Sequence, residues 1–474
     1  MQILRTKPIT PDNNDGHGLK KCLSAFDLTF LGIGAIIGTG IFVLTGVAAA
    51  TLSGPAVILS FVVAGIACGF SALAYAELAA SVGGCGSAYG YSYAAFGELM
   101  AWIIGWDLLL EYGVAIAAVA NGWSGYFVNA LTAIGLGLPE ALTRAPSAGG
   151  IVNLPAAAIV LILMGLLIAG VRQSARTNAA MVFVKLLTIA VFIAVAVFNI
   201  EPANWSPFLP FGWAGENAEG RPIGVMAGAA VVFFAYMGFD AVSTAAEEAN
   251  DPQRDVPIGI ISSLVFCTLI YIVVSGLLTA MVPYTELNVS SPVAYALQLR
   301  GINWASALVA TGVIAGLTTV MLVLYYGISR VFLAMSRDGL MPASFAVVNE
   351  HTHTPVRVIV LCGVVIATIA GFVPLGELAE LVNIGTLAAF VLVCIGVVVL
   401  RFTHPDLHRP FRIPLSPWVP LLGVVSCATL MAFLPAVTWL RFGAWLLLGV
   451  LVYFSYSIRH SKLARETSGA PVDR

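Results

Sequence analysis

Twelve apolar runs follow one another along this 474-residue chain, each close to the roughly 20 residues that a helix needs to cross the hydrocarbon core of a bilayer. Their limits are Phe26–Leu52, Pro55–Ser81, Glu98–Asn129, Leu154–Val171, Asn178–Ile200, Ile223–Glu247, Val256–Val282, Trp304–Ser336, Val356–Val373, Leu378–Arg401, Trp418–Ala436 and Arg441–Ile458. In lipid every backbone N–H and C=O must find a partner inside the chain, so successive long runs can fold only as a helical bundle. A hydrophobic share of 59% against 10% charged residues excludes an ordinary soluble domain. The expected fold class is an all-α membrane protein with twelve transmembrane helices.

Lysine and arginine give the orientation. With the N-terminus inside, seventeen of the 22 basic residues fall in inner segments and four (Arg144, Arg221, Arg300, Arg441) in outer ones, with Lys185 inside a span. That bias predicts cytoplasmic termini and an even number of spans. The expected layout is a cytoplasmic tail (1–25), a core of ten helices (26–401), two further helices (402–460) and a second tail (461–474). The stretch from Val82 to Gly97, rich in Gly, Ser and Tyr, is expected to lie along the membrane surface. The seven cysteines stand singly, mostly within apolar runs, and predict no disulfide framework. All six histidines fall outside the spans, which argues against an intramembrane metal, and no basic cluster points to nucleic acid.

Two spans are interrupted. In the first, LGIGAIIGTGIFVLT (Leu31 to Thr45) carries Gly32, Gly34, Gly38 and Gly40; in the sixth, Ala235-Tyr236-Met237-Gly238 is followed by Asp240. Broken helices in lipid are tolerated only where the freed backbone faces protein or a cavity, and interruptions five spans apart point to a site near the midplane between inverted repeats. Gly65/Gly69 and Gly312/Gly316 are expected to serve close helix packing. The outer half of span one begins near Gly38-Thr39-Gly40 and aims unpaired N–H groups at the break, which suits a carboxylate. The outer half of span six ends near Phe234-Ala235 and aims unpaired C=O groups there, which suits a primary ammonium. Together they match a free amino acid.

Lys185 lies about 11 Å into the fifth span by helical rise. A lysine at that depth either handles ions or protons or snorkels to the headgroups. Glu111, in GWDLLLEYG of span three, is its expected partner; Asp107, four residues earlier, is either functional or a satisfied structural carboxylate. Glu247, Glu248, Asp251 and Asp255 with Arg254 form a cytoplasmic cluster, read as a solvated helix end or a gate salt bridge. Thr318 and Thr319 either offer hydroxyls near the ion position or bond back to their own helix.

These residues carry a resemblance. The strings FDLTFLGIGAIIGTGIFVLTG (Phe26 to Gly46), GSAYGYSYAAFGELMAWIIGWDLLLEY (Gly86 to Tyr112), FFAYMGFDAVSTAAEEANDPQRDVPIGI (Phe233 to Ile260), SRVFLAMSRDGLMP (Ser329 to Pro342) and LVNIGTLAAF (Leu381 to Phe390) resemble the amino acid/polyamine/organocation superfamily, cationic amino acid transporter family, bacterial branch. The resemblance implies a leucine-transporter-like fold, with inverted repeats of five helices at about 26–200 and 223–401. It implies a substrate carboxylate on Ile37, Gly38, Thr39, Gly40 and Ile41, and a substrate ammonium on Phe233, Phe234, Ala235 and Met237. Phe234 or Tyr236 resembles the family's lid over bound substrate. Lys185 matches the lysine that replaces sodium in proton-coupled relatives. Met321 in span eight, if facing in, favours a small neutral side chain.

The expected function is therefore import of L-amino acids across the plasma membrane by proton symport and alternating access, with the proton gradient as energy source and no cofactor. An exchanger or facilitator is the rival within the same class; an amino acid sensor and a membrane-embedded enzyme are remote alternatives. The expected partners are an amino acid, the lipid bilayer and, where present, a small single-span accessory subunit.

Overall fold

The computed structural model describes residues 5–6, 23–82, 87–170, 175–349 and 354–464. Expectations resting on most of the N-terminal tail, on Cys22, Cys85, Arg172, His17, His351 and His353, on the side chain of Glu247 and on the last ten residues lie outside these. Helix occupies each of the twelve apolar runs. Eight helical stretches among the described residues are long and apolar enough to cross a membrane, and four apolar helices are shorter.

The first run opens with α1 (Ala25–Ile36), started by a reciprocal cap in which the Ser24 hydroxyl accepts from Asp27 N–H and the Asp27 carboxylate accepts from Ser24 N–H. It stops at Ile37, and the chain resumes as a π-helical turn Gly40–Leu44 and a short helix Thr45–Ala48. Next come α2 (Val57–Ser81), α3 (Ser87–Phe96), α4 (Glu98–Ala133), α5 (Leu154–Ile168) and α6 (Ala175–Ala196). A two-strand hairpin, β1 (Gly215–Glu216) with β2 (Pro222–Ile223), precedes α7 (Val225–Val232). There the helix tightens into a 3-10 turn, Phe233–Tyr236, before α8 (Ala241–Thr244). The remainder is α9 (Pro252–Met281), α10 (Pro292–Leu299), α11 (Asn303–Arg337), α12 (Val356–Phe372), α13 (Leu375–Thr403), α14 (Trp418–Ala432) and α15 (Ala436–Val452).

Two packing groups meet at the interruptions. Helices α1 and α2 pack on α9, and α2 on α7, while α4 packs on α11, α12 and α13. Lipid tails are as apolar as leucine, so such contacts depend on close fit at small residues. Three of the four glycines expected to serve packing do so: a Cβ on Gly65 would meet the Tyr236 hydroxyl at 2.9 Å, one on Gly312 would overlap Thr188, and one on Gly316 would sit 2.9 Å from Lys185 Cγ. Gly69 is the correction, since a Cβ there meets nothing within 4 Å.

The segment expected on the membrane surface is also corrected. Helix α3 packs against α4 and α13, with Ser87, Ala88, Tyr89, Tyr91, Ser92, Tyr93 and Ala94 buried. Its small residues permit the approach, and its tyrosines find polar partners: Tyr89 donates to Asp338 at 2.7 Å and Tyr93 to Glu98 at 3.3 Å. Cys68, Cys267, Cys362, Cys394 and Cys427 are buried free thiols.

Candidate functional site

The two interruptions touch through their backbones. A Cβ on Gly40 would run into the backbone and Cβ of Ala235, and one on Gly238 would lie 2.9 Å from the carbonyl carbon of Ala35. Gly238 also has φ +115, which only glycine adopts without strain. Glycine is thus required where the breaks cross, because any side chain would hold them apart. Ile37, Gly38, Thr39, Gly40 and Ile41 are all buried, as are Phe233, Phe234, Ala235, Tyr236 and Met237.

The broken helices leave carbonyls that other helices satisfy. From α9 the Tyr271 hydroxyl lies 2.9 Å from Ile36 O and 2.8 Å from Ala235 O, so one O–H serves an orphan acceptor on each break. From α13, Asn383 Nδ2 donates to Ala230 O at 2.7 Å and Val231 O at 3.1 Å, where α7 gives way to the 3-10 turn. Ala235 O keeps a second lone pair for a ligand donor. The first turn after the other break presents backbone N–H groups with no partner inside the helix. Thr39, at its start, has a fully buried hydroxyl without a hydrogen bond among the described residues.

Of the two aromatics expected as a lid, Tyr236 is tied down elsewhere. Its hydroxyl donates to Phe61 O at 2.8 Å and its ring packs edge-on to Phe61 and Tyr271, on the α2 and α9 side of the break. Phe234 carries no such tether. Met321 is fully buried on α11, and its neighbour Val320 lies 3.7 Å from where a Cβ on Gly38 would sit.

Lys185 is 1% exposed, and its Nζ donates to Gly34 O at 2.6 Å. The stem runs along Gly316 of α11, whose missing side chain makes the room. The expected pairing with Glu111 is not formed: among the described residues no ion pair joins them. Lys185 reaches a carbonyl two residues before Ile36, whereas Glu111 lies beside Asp107, Asp240 and Thr386 of α13. Lys185 also does not snorkel, being directed into the bundle.

Glu111 stands instead among carboxylates. Asp107, Glu111 and Asp240 are all about 2% exposed or less. The Asp240 carboxylate accepts from Gly238 N–H at 3.2 Å and from the Tyr112 hydroxyl at 3.4 Å, so it caps the second break. Asp107 Oδ1 would be 2.7 Å from a Cβ on Gly385 of α13, next to Thr386. Asp107 Oδ1, Glu111 Oε1 and Thr386 Oγ1 are buried without a hydrogen bond among the described residues.

At the end of the second break Glu248 meets Arg330 of α11 at 3.6 Å, so one member of the acidic cluster has a basic partner from another helix. Leu23 and Ala249 form a parallel bridge beside it, fastening the start of α1 to the same turn. Thr318 and Thr319 donate to Ile314 O and Gly316 O of their own helix, and Thr318 also accepts from Trp123. Sequence reasoning missed Tyr271, Asn383 and Arg330. A polar tip in an apolar run, YIVV for Tyr271 and LVNIG for Asn383, is the signal that could have found the first two.

The profile of the amino acid permease family matches residues 23–454. The chain belongs to the amino acid permease family. Over 465 residues it is 50% identical to a methylthioribose transporter of Bacillus subtilis, covering 97% of this chain and 99% of that one. It is equally similar, 50% over 450 residues, to the branched-chain amino acid permease BcaP of the same organism, covering 94% and 95%. It is 32% identical to human cationic amino acid transporter 4, covering 97% and 91%. This permease is therefore a multi-pass membrane transporter of small organic solutes and not an enzyme.

Proposed function

We propose that this permease imports L-amino acids by proton symport through alternating access, with Lys185 as the coupling group. The observation that carries the proposal is the buried Lys185 Nζ bond to Gly34 O, with no carboxylate partner among the described residues. Loss of the lysine proton would exchange a charge-assisted bond for a weaker neutral one. Because Gly34 belongs to the half-helix that leads into the first break, that exchange biases the position of α1. A carrier couples the two as a symporter when the protonation event and the substrate favour the same member of a pair of states, so that each strengthens binding of the other.

In this reading the N–H groups at Ile37 to Ile41 hold the substrate carboxylate. The carbonyls at Phe233, Phe234, Ala235 and Met237 hold the ammonium, and Phe234 closes over it. Val320 and Met321 offer an apolar wall, which supports a neutral, small to branched side chain; a close relative is named for branched-chain amino acids. A sugar such as methylthioribose, for which another relative is named, has neither charge to match the two sets of backbone groups. The reading has twelve spans with both termini cytoplasmic in the plasma membrane, inverted repeats at about 26–200 and 223–401, and two added helices at 402–460. Glu111 acts as a second proton-handling group, separate from Lys185. The proton gradient supplies the energy without a cofactor, and an accessory subunit has its place on the lipid-facing surface.

Uptake into proteoliposomes tests it. An inward proton gradient should drive accumulation of a branched-chain or small neutral amino acid, and Lys185→Ala should abolish accumulation while counterflow persists. Accumulation that ignores the gradient in the native chain would identify an exchanger or facilitator instead.

A further inference from the structure

Beyond the transport site, one part of the acidic cluster after the second break lines a groove at the start of α9. Glu248 is paired with Arg330, and the Asp255 carboxylate accepts from Asp251 N–H at 3.3 Å. The side chains of Asp251 and Arg254 have neither an ion pair nor a hydrogen bond among the described residues. Both line a groove of about 470 Å³ with Gln253, Pro257, Ile258, Ser262 and Phe411. Ile261, which lines it too, also lines a second groove of about 360 Å³ that is almost wholly apolar, formed by Ile66, Gly69, Phe70 and Leu73 of α2 against Leu264 and Val265 of α9.

The two grooves meet at Ile261, with a charged mouth at the start of α9 and an apolar slot further along the helix. From Arg254 to Val265 the rise is about 16 Å, comparable to an extended acyl chain reaching toward the bilayer centre. The slot is open beside Gly69: a Cβ there meets nothing within 4 Å, unlike one on Gly65 a turn earlier. The mouth presents a cation and an anion side by side. A purely anionic headgroup would meet Arg254 but be repelled by Asp251, and a quaternary ammonium could not donate hydrogen bonds to that carboxylate.

We propose that this groove is a binding site for a glycerophospholipid whose headgroup joins a phosphate to a primary ammonium. The phosphate lies on Arg254, the ammonium on Asp251 and one acyl chain in the slot beside Gly69. Lipid held there packs against α2 and α9, the helices that support both interruptions through Phe61 and Tyr271.

Native mass spectrometry of the purified full chain, titrated with phosphatidylethanolamine, phosphatidylglycerol or phosphatidylcholine of identical acyl chains, tests the assignment. Phosphatidylethanolamine should be retained several-fold more than either other lipid. Arg254→Gln and Asp251→Asn should each remove that preference with a loss of about tenfold in retention. Gly69→Phe should block binding of all three, and Gly69→Ala should not. Equal retention of the three lipids, tighter binding of phosphatidylglycerol, or unchanged retention in Gly69→Phe or in both mouth variants overturns the proposal. Increased retention on deletion of residues 1–22 would assign the groove to the N-terminal tail and overturn it as well. The surface variants keep the test open if Gly69→Phe fails to fold. No readout depends on transport, so the result stands apart from the coupling assignment.

Discussion

Two sets of buried charge flank the interruptions, and they are handled in opposite ways. On the α6 side a single ammonium, Lys185, is satisfied by a backbone carbonyl of the first broken span. On the α4 side Asp107, Glu111 and Asp240 crowd between the second break and α13, and among the described residues no basic side chain is paired to them and Asp107 Oδ1 and Glu111 Oε1 have no donor. The positive and negative charges share one interior and do not neutralise each other. Had they met, the result would be a static buried ion pair, whose loss on either side costs about 3–5 kcal/mol. Kept apart, Lys185 is tied to the first break and Asp240 to the second. The contrast teaches that the partner of a buried charge here is backbone released by an interrupted helix, which side-chain pairing rules do not consider.

The largest expected effect that tests this contrast is in Lys185→Ala. Removing the ammonium leaves Gly34 O without its donor, and gradient-driven accumulation in proteoliposomes should fall about 100-fold. Glu111→Gln in the same liposomes should act differently, because one of its oxygens, Oε1, has no hydrogen bond among the described residues. The fold should hold, and uptake should drop about tenfold with a changed pH profile; an effect identical to that of Lys185→Ala would merge the two groups into one. Gly316→Ala places a methyl within about 3 Å of the flexible lysine stem. Uptake should fall several-fold while substrate-induced thermal stabilisation is kept, since overpacking typically costs about 1–3 kcal/mol and the stem can yield part of it. Tyr271→Phe removes one hydroxyl shared by two carbonyls, and substrate affinity should weaken about fivefold by thermal shift, in line with about 1 kcal/mol for a hydrogen bond. The smallest effect belongs to Glu248→Gln. Its pair with Arg330 is about one-third exposed and contributes about 0.2–1 kcal/mol, which should appear as a change of less than about fivefold in rate.

Legibility varied with the range of the interaction. The positions of the helices could be read directly, because twenty apolar residues in lipid leave the backbone no alternative to helix. Both interruptions were legible for the same local reason: Gly38, Gly40 and Gly238 mark places where a helix can stop. The placement of α3 was not, since its Gly, Ser and Tyr content suits a polar interface as well as a tight protein contact, and only distant segments, Asp338 and the face of α13, decide between them.

The sequence by itself determined a helical membrane bundle, the two weak points in it and the unusual depth of Lys185, all of which follow from composition and spacing within single segments. Only the tertiary structure decided that Gly40 lies on Ala235, that Tyr271 and Asn383 satisfy the freed carbonyls, that Tyr236 faces away from the break, and that Lys185 answers Gly34 rather than Glu111. Helical periodicity states which face a residue occupies relative to its own axis. The rotation of each helix about that axis is set by packing against its neighbours, so the partner of a buried polar group is fixed only when the helices come together.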